Sequence, residues 1–215
     1  LYIPKQLTAE ADQTDLNSIS AIQSNFVNLF QSLENKNYNE VESYFSSAID
    51  HTNFLLRTSP TQQNLNISQI VIDNGLNLSD LLIQQEQFSS SSNILSNISS
   101  ALPFLASIDA SYANNLANRL MQKSSLFFSA NKPDELVSFL NALIQSLKDS
   151  FARQFALIDE LQRNRLNPDS LLKLNELGTS IQTMTSALSD LDDASEIILQ
   201  ASMEPNSEKK FQLSS

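Results

Sequence analysis

The chain has 215 residues and a formal net charge of −11, with no cysteine, two glycines and six prolines. Without cysteine it forms no disulfide and carries no thiolate for catalysis or zinc binding. Two glycines are too few for the phosphate-cradling loops of nucleotide-binding folds and argue against the many tight turns of a large sheet. The 13 lysines and arginines are scattered, which excludes the clustered basic surface that nucleic acids require.

The distribution of apolar residues predicts an all-α protein. Leucine, isoleucine and phenylalanine recur at three- and four-residue steps, which is the pattern of an apolar stripe along an α-helix. We therefore expect a bundle of about five to six long amphipathic helices, mostly antiparallel. The predicted helices cover about residues 16–34, 39–57, 65–88, 93–128, 136–161 and 168–203. No repeat of fixed period is evident along the chain.

Local signals in the first half indicate where helices start and break. Thr14 or Asp15 can cap the first helix, because a side-chain oxygen there accepts a hydrogen bond from a free backbone amide. Gly75 indicates a bend or a close packing contact within the third helix. The low-complexity residues 89–92 predict a break, and Pro103 predicts a kink or restart in the helix that follows.

The last two predicted helices have the clearest starts. Pro133 and Pro168 stand at first helical positions and are followed by acidic residues, which favour a helix N-terminus. The short connection between these helices predicts that the chain ends in a long helical hairpin. The predicted organisation is an extended N-terminal arm (1–14), a single helical-bundle domain (15–203) and a disordered tail (204–215).

Few residues suggest chemistry. His51 is the only histidine, and no nucleophile or metal partner accompanies it in the sequence, so a structural or solvated role is favoured. The densest acidic cluster, Asp190, Asp192, Asp193 and Glu196, lacks the glycine and tight loop of a calcium site, which favours a solvated helix face. We predict no catalytic residue, no metal ligand and no cofactor, and therefore a protein that is not an enzyme.

Twelve phenylalanines give the strongest indication of a binding role. They either fill the core or line an apolar cavity between helices, which is a common ligand site in bundles. Residues 136–144 carry apolar side chains around more than half of the helix, so this helix is central or faces a ligand, partner or lipid surface. The sequence also predicts that Phe151 and Phe155 are buried in the same interior as Phe26 and Phe30. The candidate ligand-binding residues are Phe26, Phe30, Phe45, Leu105, Ile108, Phe139, Leu143 and Phe151.

The surface composition favours a secreted or cell-surface protein. Charged residues make up only 17% of the chain, and serine, asparagine and glutamine replace the lysine and glutamate that coat most cytosolic bundles. Asn66, Asn77 and Asn97 each begin a glycosylation sequon. No apolar run is long enough for a transmembrane span, the sequence contains no signal peptide, and the leader of a secreted protein would have been removed before Leu1.

Residues 15–158 resemble a secreted fungal group, the hydrophobic-surface-binding and cell-wall galactomannoprotein family. The resemblance is carried by Asp15-Leu16 with Ile19 and Ile22, by Ser47-Ala48-Ile49-Asp50, by Ile94-Leu95 with Ile98 and Leu102-Pro103, by Leu120 with Lys123 and Phe127 or Phe128, and by Leu136-Val137 with Leu140, Leu143 and Leu147. It implies a cysteine-free helical bundle that is secreted or wall-bound and that carries a fatty acid between its helices or adsorbs to hydrophobic surfaces. The chain departs from the family in lacking glycines after the first helix and in having a helix over 168–203.

Two functions remain open at this level. The first is an extracellular protein that binds a fatty acid, another lipid or a hydrophobic surface, which requires an enclosed apolar cavity of at least ~300 Å³ if the ligand is a small molecule. The alternative is a secreted helical interaction protein, such as an effector, adhesin or coat component, that docks on a protein partner. That function requires a filled core and exposed apolar side chains instead.

Overall fold

Eight α-helices, seven of them of 12 residues or more, account for most of the described chain, which comprises residues 3–4, 12–163 and 168–202 of a computed structural model. No strand occurs among these residues, which confirms the predicted all-α bundle. The helices are α1 (Gln13–Glu34), α2 (Tyr38–Thr58), α3 (Gln62–Gln84), α4 (Phe88–Ser99), α5 (Leu102–Ile108), α6 (Ala110–Ser129), α7 (Pro133–Arg163) and α8 (Pro168–Ser202).

The chain divides into two compact units, Leu1–Phe104 (unit 1) and Leu105–Ser215 (unit 2). Unit 1 contains α1 to α4, unit 2 contains α6 to α8, and the division falls within α5. The single domain predicted for residues 15–203 stays a prediction, and the predicted tail at 204–215 lies outside the described residues. In the predicted N-terminal arm, Ile3 is buried.

Three helix boundaries differ from the sequence prediction. α1 begins before Thr14, because the carboxylate of Asp12 caps it by accepting a 2.8 Å hydrogen bond from the amide of Asp15. Residues 89–92 do not break the chain; they lie in α4, where three of the four serines are buried. The stripe predicted as one helix over 93–128 is divided among α4, α5 and α6, which explains the larger helix count.

One loop geometry joins three pairs of helices, α1 to α2, α3 to α4 and α6 to α7. In each loop one residue adopts a left-handed conformation, with φ of 55° at Lys36, 59° at Glu86 and 57° at Asn131. The next amide then bonds back to a helix carbonyl five residues earlier, which satisfies the open helix end. These bonds are Asn37 to Ser32 (2.8 Å), Gln87 to Leu82 (2.8 Å) and Lys132 to Phe127 (2.9 Å). The chain thus uses the same helical hairpin three times, at unequal spacing.

The two hairpins of unit 1 lie side by side in the same direction. The starts of α1 and α3 are joined by a 2.9 Å hydrogen bond from Asn64 Nδ2 to Asp15 Oδ2. At the other end, the Tyr38 hydroxyl at the start of α2 donates a 3.1 Å bond to Oε1 of Gln85, just after α3. α2 and α4 are joined near their ends by a 3.0 Å bond from Asn53 to the Ser100 hydroxyl. α1 and α3 therefore run parallel, and α2 packs against α1, α3 and α4.

In unit 2, α6, α7 and α8 pack against one another. Only residues 164–167 separate α7 from α8, and Gln154 of α7 donates a 3.0 Å hydrogen bond to Ser180 of α8. Both observations agree with the long helical hairpin predicted for the end of the chain.

Candidate functional site

Of the three candidate ligand-binding residues in unit 1, two form its core. Phe26 of α1 and Phe45 of α2 are 1% and 0% exposed, and their rings meet edge to face at a centroid distance of 6.2 Å. Phe30 lies one turn after Phe26 with its ring 6.0 Å away, but it is 40% exposed. The structure therefore brings the three rings together and leaves one of them at the surface.

The interior around Phe45 is closely packed. Gly75 of α3 faces this ring, and a Cβ atom at Gly75 would lie 2.8 Å from Phe45 Cε2, closer still to Phe45 Cζ, and 3.0 Å from Ile98 Cδ1. Since real Cβ atoms do not approach other atoms this closely, the glycine is what allows α3 to receive the Phe45 side chain. Close packing is thus the role of Gly75, and Phe45 fills the contact between α2 and α3.

The other five candidates lie in unit 2. Phe139 and Leu143 of α7 and Leu105 of α5 are buried, whereas Ile108 and Phe151 are half-buried. Phe139 packs on the ring of Phe127, which is also fully buried and was not among the candidates. Phe127 lies four residues before the left-handed residue of its hairpin. Ser32 and Leu82 occupy the same position in the other two hairpins and are also buried, so comparison of the hairpins identifies Phe127 as a buried residue.

The predicted burial of Phe155 and Phe30 is wrong, because these side chains are 55% and 40% exposed. In α7 the buried positions continue from Leu147 through Ser150 and Gln154 at three- and four-residue steps. This stripe passes beside Phe155, so polar side chains occupy interior positions and a phenylalanine is left outside.

A small polar cluster surrounds Gln154 inside unit 2. Its side-chain amide donates to the Ser180 hydroxyl at 3.0 Å and to the carbonyl of Ala106 at 3.4 Å, while Ser180 donates to Asn114 at 3.2 Å. The Oε1 atom of Gln154 is buried without a hydrogen-bond partner. The cluster contains only amide and hydroxyl groups, so it offers hydrogen bonds but no acid, base or activated nucleophile.

Neither of the other candidate groups forms a reaction centre. His51 is half-buried on α2, and Asp190, Asp192, Asp193 and Glu196 are exposed on α8. Within residues 3–4, 12–163 and 168–202, no group of three or more histidine, aspartate and glutamate side chains is placed to hold a metal ion. None of the helices described combines the length and hydropathy needed to cross a membrane.

The first helices of the two hairpins in unit 1, α1 and α3, carry equivalent sets of outward side chains, which are here together called the α1–α3 face. It consists of side chains at the same distance before the left-handed residue of each hairpin, most of them exposed. They are Ser20, Gln23, Ser24, Val27, Phe30 and Gln31 on α1 and Ile70, Asp73, Asn74, Asn77, Asp80 and Leu81 on α3.

The α1–α3 face combines apolar side chains with uncharged polar ones and, on α3, with the two acids Asp73 and Asp80. Val27, Phe30 and Leu81 are 67%, 40% and 36% exposed, and large apolar side chains of unit 2 such as Leu171 and Leu172 are exposed to a similar degree. Serine, asparagine and glutamine occupy most of the remaining positions. Along α1 no charged residue stands between Asp15 and Glu34. Of the candidates from the sequence, only Phe30 belongs to this face. The others were missed because an apolar stripe in the sequence does not show which side of a helix neighbouring helices leave exposed.

No protein-family model, no curated protein and no solved structure matches this chain. The resemblance to the hydrophobic-surface-binding family therefore stays a prediction. The function is inferred below from the geometry of the two units.

Proposed function

We propose that this protein is a non-enzymatic, extracellular helical interaction protein that docks on a protein partner through the α1–α3 face. The observation that carries the proposal is the contrast between the closely packed interior of unit 1 and the apolar side chains outside it. Phe45 is seated against Gly75, whereas Val27 and Phe30 remain exposed on α1 and Leu81 on α3. Exposed apolar side chains grouped among polar ones are typical of protein-binding surfaces.

The binding of a fatty acid or other lipid between the helices receives less support. Phe26, Phe45 and Phe139 were expected to border a ligand, but the rings of Phe26 and Phe45 contact each other at 6.2 Å and the ring of Phe139 contacts that of Phe127 at 6.3 Å. Rings packed in this way stabilise a core through mutual contact and need no ligand. The lipid hypothesis stays a prediction. Native mass spectrometry of the purified protein tests it, since a lipid carrier would retain an apolar molecule.

An extracellular location is supported by the polar side chains of the exposed helix faces. α1 presents serine, asparagine and glutamine where helices of cytosolic bundles usually present lysine and glutamate. Of the three sequon asparagines, Asn77 is exposed, and Asn66 and Asn97 are half-buried. Because Asn77 belongs to the α1–α3 face, a glycan there would cover the surface. The proposal therefore expects unmodified Asn77 in the secreted protein, which intact mass and peptide mapping can check.

The proposal is tested by displaying folded domains from the proteins of the source organism and selecting those that bind the immobilised full-length chain. We expect selected domains to lose binding when Val27→Ser and Phe30→Ser are combined in the immobilised chain. The matched control is Leu172→Ser, which removes an exposed leucine of unit 2 and should leave binding unchanged. The proposal fails if no domain binds in a manner that depends on Val27 and Phe30.

A further inference from the structure

We infer that unit 2 binds a second copy of this chain through one side of the α7–α8 hairpin. In the resulting symmetric contact of four helices, Phe155 of each copy packs beside Gly178 of the other. The surface, here called the α7–α8 face, is formed by Phe155 and Ile158 on α7 and by Leu171, Leu174, Gly178 and Ile181 on α8. None of these residues belongs to the α1–α3 face, so the dimer goes beyond the proposed function and can fail without it.

The two helices of this hairpin are held in a defined register. Gln154 of α7 donates a 3.0 Å hydrogen bond to the Ser180 hydroxyl of α8. Since only residues 164–167 separate the two helices and they pack along each other, they run antiparallel. Residue 155 is therefore level with residue 179, and Phe155 and Gly178 stand at nearly the same level on neighbouring helices.

Phe155, Leu171 and Gly178 lie on the same side of the hairpin. Each of them immediately follows a buried residue of its helix. These buried residues are Gln154, Ser170 and Leu177. One position corresponds to about 100° around an α-helix, and in an antiparallel pair this rotation leads to the same side of the hairpin in both helices. Three-residue steps from these positions add the remaining apolar residues of the face.

The opposite side of the hairpin carries charge. Arg153, Asp169 and Glu176 are exposed, and each stands one position before one of the same buried residues. Ser180 turns toward this side as well, where it donates a 3.2 Å hydrogen bond to Asn114 of α6. α6 therefore packs on the charged side and leaves the α7–α8 face open.

The α7–α8 face has one projecting ring and one gap. Phe155 and Leu171 are 55% and 54% exposed, and none of residues 155–163 is buried. Gly178 is also exposed, and no atom lies within 4 Å of the Cβ that another residue would have there. Leu174 and Ile181 stand one turn to either side of it, so the glycine leaves a gap between two apolar side chains. Glycine is unfavourable within a helix, and a contact that needs the gap would explain its presence.

A second copy fits this face because one rotation fills the gap twice. If two hairpins meet about a twofold axis parallel to their helices, α7 of one copy packs over α8 of the other at an unchanged level. Phe155 of each copy then lies over Gly178 of the other, and all neighbouring helices are antiparallel, as in four-helix bundles. Asp159 falls at the rim, level with Asn175 of the second copy, whose amide can donate a hydrogen bond to it.

Charge and size also suit a second copy. Residues 150–180 contain four basic and four acidic side chains, so the net charge of −11 comes from the rest of the chain. Two acidic chains can therefore approach here with little repulsion. The apolar centre is about 15 Å long and about 20 Å wide, and a polar rim of similar area brings the contact to roughly 600 Å² on each copy. Because specific interfaces are usually larger, we expect a weak dimer with a Kd of ~10–100 µM.

The experiment is sedimentation velocity of the full-length chain from ~5 to ~500 µM, a range that spans the expected Kd. Phe155→Glu and Gly178→Lys should each raise the Kd at least ~10-fold, because one places a carboxylate over the gap and the other fills it. Both positions are exposed, so circular dichroism should show unchanged helicity. An equal mixture of the two variants should dimerise again, because the new carboxylate meets the new ammonium group while the second contact keeps its phenylalanine and glycine.

Two adjacent leucines provide a matched control. Leu171→Ser, on the α7–α8 face, should raise the Kd ~3–5-fold, whereas Leu172→Ser, which is 62% exposed but turned away from the face, should change it less than ~2-fold. Phe30→Ser tests the α1–α3 face and should leave the Kd unchanged.

The dimer is overturned if the chain stays monomeric over the whole range, or if neither Phe155→Glu nor Gly178→Lys weakens association. It is also overturned if the mixture of these variants remains monomeric, if Leu172→Ser acts as strongly as Leu171→Ser, or if Phe30→Ser abolishes association. None of these outcomes except the last concerns the α1–α3 face, so partner binding through that face is judged separately.

Discussion

α1 and α3 open successive hairpins of unit 1 and end in the same loop geometry, yet they bury different parts of their surfaces. α1 packs along α2 and buries one stripe, which includes Ile19, Ile22 and Phe26. α3 packs on both α2 and α4 and buries a second stripe through Gly75. At the register of Gly75, α1 has Asn25. The comparison shows that the position of a helix within the unit decides which of its sides is buried, even when two helices occupy equivalent places in their hairpins.

The same contrast separates the phenylalanines of α1 and α2. Phe26 and Phe45 lie where two helices meet and are buried, whereas Phe30, one turn further along α1, is 40% exposed. A phenylalanine at a helix contact contributes to stability, and one on the open side is available for a partner. The predictions below test this division.

The largest effect is expected from truncating the core ring. Phe45→Ala should lower the free energy of unfolding by about 3–5 kcal/mol, because it removes a fully buried ring and leaves a cavity. Phe30→Ala, which truncates an exposed ring, should cost less than about 1 kcal/mol. Urea unfolding followed by circular dichroism measures both. Equal losses in the two variants would contradict the division between core and surface.

The next effect concerns the two glycines, both of which lie within helices. Gly75→Ala should destabilise the protein by about 1–3 kcal/mol, since Phe45 and Ile98 must move to admit the new methyl group. Gly178→Ala has no atom within 4 Å of the added Cβ and should stabilise the protein by up to about 1 kcal/mol through helix propensity. Thermal unfolding of both variants gives the signs. A stabilising Gly75→Ala would show that α2 and α3 pack more loosely than described.

Two buried amides provide a smaller contrast between the units. Asn64 donates to the carboxylate of Asp15 at 2.9 Å, so Asn64→Leu should cost about 1–3 kcal/mol by leaving that buried acid without its donor. Gln154, like Asn64, has a buried oxygen without a partner, but it bonds only to neutral groups, so Gln154→Leu should change stability by less than about 1 kcal/mol. Guanidinium titrations measure the free energy of unfolding of the two variants. A large loss in Gln154→Leu would mean that its polar cluster stabilises unit 2.

The smallest effect is expected at the hairpin loops. Glycine tolerates the left-handed conformation better than other residues, so Lys36→Gly and Glu86→Gly should each stabilise the protein by about 0.5–1 kcal/mol. Asn131→Gly should stabilise the protein less, because asparagine already tolerates this conformation. Differential scanning calorimetry of the three variants checks the order. A loss of stability in any of the three variants would show that the original side chain makes a contact worth more than the relief of backbone strain.

Much of the fold could be predicted from the sequence, but the hairpin repeat could not. The Pro133 and Pro168 starts and the period of the apolar residues follow from local chemistry, and the structure has helices beginning at both prolines. The three loops contain lysine, glutamate and asparagine where a left-handed residue is usually glycine, so no common residue marks them. Because no residue type marks the turn at Glu86, the sequence predicted a break at residues 89–92, which lie just after that turn.

The candidate site was predicted less completely. The sequence made Phe30 a candidate binding residue, but as part of an interior, and it did not distinguish Val27 and Leu81 from other apolar residues. Exposure depends on which neighbouring helix covers a side chain, and a single helix pattern contains no information about its neighbours. Hairpin register, once the left-handed residues are known, places these side chains at equivalent outward positions of α1 and α3.

Composition and period by themselves determined that this chain is helical, free of disulfides, acidic and poor in surface charge, because these properties depend on residue type and local spacing. Only the tertiary structure decided that three hairpins share one loop, that Phe45 packs against Gly75, and that Ser150 and Gln154 lie inside while Phe155 lies outside. Burial is a property of contacts between helices distant in sequence, and side chains compete for those contacts only after the helices have packed.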